Sequence, residues 1–296
     1  MENHHIKRKA EQEFEIKPKE LSEFREQGYI AINQLLTKNE ISDARRAIKD
    51  IVTRYATEPN VAELRSLSAD RKRASYKKVD GRTHIQFESG YQPDPSDLDT
   101  LELKVRKLMW FESEAPVFQE ILTQSHPAMK ILEALLGQGS KLFQSMALIK
   151  PPLIGSEKPW HQDNAYFAVT PLDAIIGIWI ALDDATVDNG CMHVIPGGHR
   201  KGAFKHHHAK DCEIEKTLLP TAQSKPIELA AGGALFFYGM LPHETPANRS
   251  QNRRRALQFH FHAAHAKKVD SSSYDKVFAD AEGNPASCEA ARLAGI

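Results

Sequence analysis

Cysteine, an excess of charge of either sign, and long apolar runs are all scarce in this chain of 296 residues. Its three cysteines, Cys191, Cys212 and Cys288, are too few and too far apart for a disulfide framework or a zinc knuckle, which predicts a reducing compartment. The 39 Lys and Arg are balanced by 39 Asp and Glu, so the surplus of positive charge that a nucleic-acid binder turns toward phosphates is missing. The longest uncharged apolar run, Ala174 to Leu182, falls far short of a membrane span. Met1 to Ile16 is charged and lacks the apolar stretch of a signal peptide. These absences predict a soluble, cytoplasmic protein that neither binds nucleic acid nor spans a membrane. What the chain does contain is a hydrophobic fraction of 41%, enough for a core, and 14 histidines, a residue that ligates metals and moves protons.

Hydrophobic patterning divides the chain. Residues 1–17 read as a solvated tail. Leu21 and Phe24 suit a short helix ended by Gly28, and Tyr29 to Leu36 reads as a strand. Thr37-Lys38-Asn39-Glu40 has the capping-box form, and Ile41, Ala44, Ile48, Val52 and Tyr55 then recur at helical spacing. Residues 57–82 are polar and read as a loop, Thr83 to Glu88 alternates as a strand does, and residues 97–137 predict three helices, the first marked by Leu101, Val105 and Leu108. From residue 139 onward, short β-prone runs alternate with Gly, Pro and Asn turns. The prediction is a mainly β protein with flanking helices. It is one domain over 18–296, with a helical and strand part at 18–138, a β core at about 139–265 and a C-terminal arm at 266–296.

The chemistry concentrates in Trp160-His161-Gln162-Asp163. On an extended chain residues i and i+2 point to one side, so His161 and Asp163 can share a metal. His243, after the apolar run Ala234 to Tyr238, is the best third ligand. Two histidines and a carboxylate leave positions open on the metal, the pattern of non-haem Fe(II) oxygen chemistry. The run Arg253-Arg254-Arg255 opens the strand that follows, and a guanidinium there can grip the far carboxylate of a keto-acid cosubstrate such as 2-oxoglutarate.

These stretches, with Gln144-Ser145-Met146, Lys150-Pro151-Pro152, Ile178 to Leu182, Asn189-Gly190-Cys191-Met192 and Ile195 to His199, occur in an order that resembles the phytanoyl-CoA dioxygenase-like family of Fe(II)/2-oxoglutarate-dependent oxygenases. The final histidine stands eleven residues before an arginine, Arg254. The resemblance implies a double-stranded β-helix (jelly-roll, cupin-like) core. It implies His161, Asp163 and His243 as iron ligands, and Arg254 and Thr245 as holders of the cosubstrate carboxylate. Trp179 would pack near the cosubstrate, Gln144 and Met146 would line the cavity, and Lys107 would contact the cosubstrate. Gly198 departs from the Ser or Thr usual before the histidine of the Pro-Gly turn. Because Asp163 supplies a metal carboxylate, oxygenation is favoured over halogenation.

The implied reaction consumes O2 and 2-oxoglutarate, with ascorbate as a reductant in vitro. It releases succinate and CO2 and oxidises, most simply hydroxylates, a C–H bond of a small metabolite. Desaturation, ring closure and endoperoxide formation are alternative outcomes. A non-catalytic 2-oxoglutarate- or metal-binding jelly roll and a cupin-like isomerase are alternative functions. Residues 57–90 and 200–225 are expected to form the cavity rim, with His84, Gln86 and His193 as candidate substrate contacts. His206-His207-His208 reads as a loop rather than a second metal site, because consecutive residues of an extended chain alternate sides. His260 and His262 read first as core histidines, and as cavity-lining residues only if they share the face of Arg254, while Arg253 and Arg255 read as solvated.

Overall fold

The computed structural model describes residues 5–6, 15–57, 63–66, 83–91, 96–208 and 211–279. Its larger sheet has nine strands in the order His5–Ile6, Tyr29–Ile32, Ala234–Tyr238, Ile175–Ala181, Arg254–His262, Lys141–Lys150, Val105–Met109, His84–Phe87 and Glu63–Ser66. A four-stranded sheet, in the order Lys225–Ile227, Met192–Val194, His243–Thr245 and Lys158–His161, packs on it. Together they form a double-stranded β-helix with helices on the outer side of the large sheet, the fold class the sequence predicts.

Alternation in the central strands builds two cores. Leu257, Phe259 and Phe261 turn outward and join Ile176, Ile178, Ile180, Ala147, Ile149 and Phe236. Ile41, Ala44, Ile48 and Val52 of helix Lys38–Thr57 pack into the same cluster. The intervening residues turn inward. Ala256, Trp179, Ala181, Leu235 and Phe237 meet Met192, Val194 and Ile227 of the small sheet. With both faces covered, the strands read as continuous apolar runs. The helix is fixed at its start by a reciprocal cap: the Thr37 N–H donates to Glu40 Oε2 at 2.7 Å and the Glu40 N–H to Thr37 Oγ1 at 3.3 Å.

Several expectations need correction. Helices occur at Leu98–Leu101, Pro116–Ile121 and Pro127–Leu136, but Val105 and Leu108 belong to a strand, Val105–Met109. Their spacing of three suits a helix, yet pairing with Lys141–Lys150 and His84–Phe87 prevails. The strand begun at Tyr29 stops at Ile32, because the Leu35 and Leu36 N–H groups both donate to Gly232 O, at 2.7 and 3.0 Å. Gly232 has φ 91°, and a Cβ there would stand 2.9 Å from Leu36 O, so the turn excludes a side chain. His206–His208 is a strand paired with Cys212–Ile214, not a loop. The loop predicted over 57–82 lies largely outside the described residues; within it Glu63–Ser66 is a strand parallel to His84–Phe87. The tail over 1–17 and the arm over 266–296 are described only in part, and include strand His5–Ile6 and helix Ser271–Phe278.

Cys191 is a free buried thiol, pushed up to about 12 chiefly by burial. Among the described residues no helix is long and apolar enough to cross a membrane.

Candidate active site

His161 and His243 stand directly opposite each other on neighbouring antiparallel strands of the small sheet. Cross-strand partners share a face, and the two rings lie with centroids 4.1 Å apart. Past His161 the chain enters a short 3-10 turn, Asp163–Tyr166, that brings Asp163 back to the pair. Asp163 Oδ1 lies 3.3 Å from His161 Nε2 and 3.7 Å from His243 Nε2. Ligand atoms bound side by side at metal–donor distances of about 2.1 Å stand about 3 Å apart, so the cluster is close to the size an ion requires. Among the described residues it is the one group of three or more His, Cys, Asp or Glu whose ligand atoms all lie within 4.8 Å of one another.

The protonation states suit a cation. The Nδ1–H of His161 donates to Pro159 O and that of His243 to Leu241 O, each at 2.9 Å, which leaves both Nε2 lone pairs facing Asp163. Burial, with the neighbouring His161 adding to it, pushes His243 down to about 3, so it stays neutral. Burial would raise the Asp163 carboxyl, but the surrounding His243 and His260 imidazoles and the hydrogen bond from His260 outweigh it and hold it well below the usual range.

A second buried feature sits on the same inner face. Arg254 is 1% exposed, and among the described residues its Nε and Nη1 have no hydrogen-bond partner. Its guanidinium lies 5.1 Å from the ring centroid of Trp179, whose Nε1 is also without a partner. Burial lowers Arg254 to about 10, so it remains charged at neutral pH. A buried cation with free N–H groups and no acid against them is costly, and a ligand carboxylate is the group that would satisfy it. The donor set and the orphaned guanidinium therefore fit Fe(II) and 2-oxoglutarate.

The family description "Phytanoyl-CoA dioxygenase (PhyH)" matches residues 24–256. The chain belongs to the phytanoyl-CoA dioxygenase family. It is accordingly a non-haem iron, 2-oxoglutarate-dependent oxygenase. It is similar to phytanoyl-CoA dioxygenase domain-containing protein 1 of Bos taurus, 25% identical over 261 residues that cover 83% of this chain and 89% of that one. It is also similar to the phytanoyl-CoA dioxygenase of Arabidopsis thaliana, 26% identical over 252 residues, 83% and 88% of the two chains. Among solved structures, EvdO2 from Micromonospora carbonacea var. aurantiaca complexed with 2-oxoglutarate aligns at TM-score 0.56 with 22% identity, covering 87% of this chain and 94% of that one. EctD from S. alaskensis with bound Fe aligns at TM-score 0.61 with 18% identity, covering 84% and 77%. The non-heme alpha ketoglutarate dependent carbocyclase SnoK from nogalamycin biosynthesis aligns at TM-score 0.60 with 19% identity, covering 86% of each chain.

In this family member the remaining predicted residues fall as follows. Thr245 is buried, two residues past His243 on one strand. Gln144 and Met146 stand opposite His260 and Gln258, hence on the inner face with Arg254. Lys107 is on a strand rather than a helix, beside Leu148 on that same face. Burial pushes its ammonium down to about 7, Arg106 adds to this and Asp211 opposes it; neither partner is Arg254. His84 and Gln86 continue the inner face through Met109 and Lys107. His193 lies between Met192 and Val194, which both pack inward, so it turns away from the cavity. Arg255 is buried against Asp183 and Glu102, and Arg253 also pairs with Glu102, so neither is merely solvated.

Braces around the cluster come from residues that residue type and spacing do not single out. Gln162, between two of the clustered residues, donates from Nε2 to Gly202 O at 2.9 Å and Met240 O at 2.7 Å, and accepts from Phe204 N at 2.8 Å. Its own N–H donates to His206 Nε2 at 3.1 Å, while His206 Nδ1–H donates to Phe204 O at 2.9 Å. Burial pushes His206 down to about 3, as that neutral arrangement requires. The first histidine of the triplet thus pins the backbone between His161 and Asp163. No local pattern announces it, since the contact spans 44 residues.

Proposed function

We propose that His161, Asp163 and His243 hold Fe(II), that Arg254 and Thr245 hold the distal carboxylate of 2-oxoglutarate, and that residues 18–296 act as a single oxygenase unit. The enzyme then oxidises a C–H bond of a small organic metabolite, with hydroxylation as the default outcome. The observation that carries this reading is Arg254: a buried guanidinium with two partnerless nitrogens on the inner face that also carries Gln258 and His260, both against Asp163.

Bound there, iron and 2-oxoglutarate supply the oxidising chemistry for O2, with release of succinate and CO2. The chain's own residues prepare the place. Backbone carbonyls fix the tautomers of both histidines, so that each offers Nε2. The ionised Asp163 contributes the negative charge that a divalent cation needs. Arg254 draws the cosubstrate carboxylate against Trp179, with Thr245, Gln144, Met146 and Lys107 as further contacts. Burial of the cluster excludes bulk water and strengthens each of these interactions. The rim formed by residues 200–225 and the inner-face residues His84 and Gln86 would select the substrate.

The reading is tested with purified protein given Fe(II), 2-oxoglutarate and ascorbate under air, plus a metabolite extract. Succinate should form with a compound that gains oxygen or loses hydrogen, and Asp163→Ala should stop both. Absence of succinate together with absence of metal or 2-oxoglutarate binding would refute it. Binding without oxygen consumption would favour a non-catalytic role.

A further inference from the structure

A carboxylate that gives both oxygens to a metal closes one of the positions that cosubstrate and oxygen need. In this chain one oxygen of Asp163 is already committed elsewhere. Oδ1 faces His161 and His243, whereas Oδ2 lies 2.8 Å from His260 Nε2. His260 is fully buried and enters from a different sheet, at a separation of 97 residues from Asp163. It sits on Arg254–His262, opposite Gln144 on one side and Gly177 on the other. Its ring is held by Phe167, centroids 5.1 Å apart, and Phe143, at 6.1 Å. The Gln258 side-chain amide, on the same face, stands 3.0 Å from His260 Nε2 and 3.5 Å from the same Asp163 oxygen.

The tautomer of His260 follows from its other nitrogen. Nδ1 is buried and has no partner among the described residues. The carboxylate can only accept, and a buried N–H without an acceptor is rarer in proteins than an unmet acceptor, so Nδ1 carries the lone pair, Nε2 carries the proton, and the Gln258 amide turns its oxygen rather than its nitrogen to Nε2. The Nε2–H therefore donates to Asp163 Oδ2.

We propose that His260 is a positioning residue that holds Asp163 as a one-oxygen donor, with Oδ1 turned to the histidine pair and Oδ2 kept off the metal. This rests on the reading above that the three side chains form a metal centre. Without the His260 donor, Oδ2 is free to swing toward the cation. The carboxylate then binds through the wrong geometry and a coordination position is lost.

The test uses the full-length protein, stripped of metal and titrated with Co(II), whose visible absorption reports coordination number and geometry. The parent should bind one Co(II), and Asp163→Ala should not. His260→Leu should weaken Co(II) about 10- to 100-fold and change the visible spectrum. His260→Gln, whose Nε2–H reaches the same place, should restore most of the affinity and the parent spectrum. If the leucine variant melts far below the parent, His260→Met, which has the length of glutamine without its donor, replaces it. A donor-less variant that melts like the parent, binds Co(II) equally well and gives the parent spectrum would overturn the inference, as would failure of glutamine to restore either property. Failure of the parent itself to bind, or binding by Asp163→Ala equal to the parent's, would instead overturn the metal-centre reading.

Discussion

Arg254 and Arg255 are consecutive, both buried, and treated oppositely by the fold. Arg255 turns to the outer side. There its Nε and Nη2 donate to the two oxygens of Asp183, each at 2.9 Å, and its Nη1 to Glu102 at 3.3 Å. Arg254 turns inward, stacks on Trp179 and leaves Nε and Nη1 without partners. Strand alternation alone produces the split. A paired buried charge belongs to the structure, while an unpaired one is a vacancy in the hydrogen-bond inventory that a ligand can fill. The same division runs along the strand: Leu257, Phe259 and Phe261 build the main core, while Gln258 and His260 stand against Asp163.

The largest effect that would sharpen this contrast concerns a buried group satisfied in one protonation state only. His206 uses one nitrogen as donor and the other as acceptor, and burial holds its folded value at about 3 against 6.5 for the unfolded imidazole. Between those values the unfolded chain binds the extra proton, so stability rises with pH through the window and is lost as pH falls from about 6.5 toward 3. At about 1.4 kcal/mol per pH unit, the loss is on the order of 4–5 kcal/mol. Denaturant melts of the parent and of His206→Gln across this range should show a flatter acid slope in the variant; equal slopes would count against the assignment.

Next comes the orphan itself. Arg254→Met should raise the dissociation constant for 2-oxoglutarate about 10²- to 10³-fold, the loss of a charge-assisted pair worth roughly 3–4 kcal/mol. It should leave the melting temperature equal or higher, since it removes an uncompensated buried charge. A large drop in melting temperature would contradict the unpaired assignment. Its neighbour should behave in the reverse way. Arg255→Met strips one cation from Asp183 and Glu102, which keep Arg45 and Arg253. It should cost about 3 kcal/mol of stability and leave 2-oxoglutarate affinity within about 2-fold, a shift of about 0.4 kcal/mol, as calorimetry and denaturant unfolding would show. The smallest effect is a calibration on the outer helix. Thr37→Ala removes its cap and should cost about 1 kcal/mol with no change in cosubstrate binding.

Much of this site was legible because its chemistry is local. His161 and Asp163 are two apart on an extended segment, so residue type and spacing pointed to them, with His243 after a strand as the best third ligand, while the family resemblance singled out Arg254. The partners of those residues were not legible. Asp183 meets Arg255 from 72 residues away and Glu102 from 153, and His260 reaches Asp163 across 97. Only the register of the sheets brings them together, and a single sequence does not state that register. Fold errors had the same origin. Val105 and Leu108 suit a helix by spacing and became a strand because Lys141–Lys150 offered a partner. The His206–His208 triplet, conspicuous by composition, turned out to use its first member as a backbone brace.

The direct opposition of His161 and His243 across two strands has a consequence for how such an enzyme can diversify. Their separation is set by the interstrand repeat of the sheet, a ruler of about 5 Å, and no loop enters the measurement. Segments at the mouth can lengthen, shorten or exchange sequence without respacing the two imidazoles. Reactivity and selectivity are therefore mechanically uncoupled: a new substrate requires a new rim, while the ruler beneath it stays as it is.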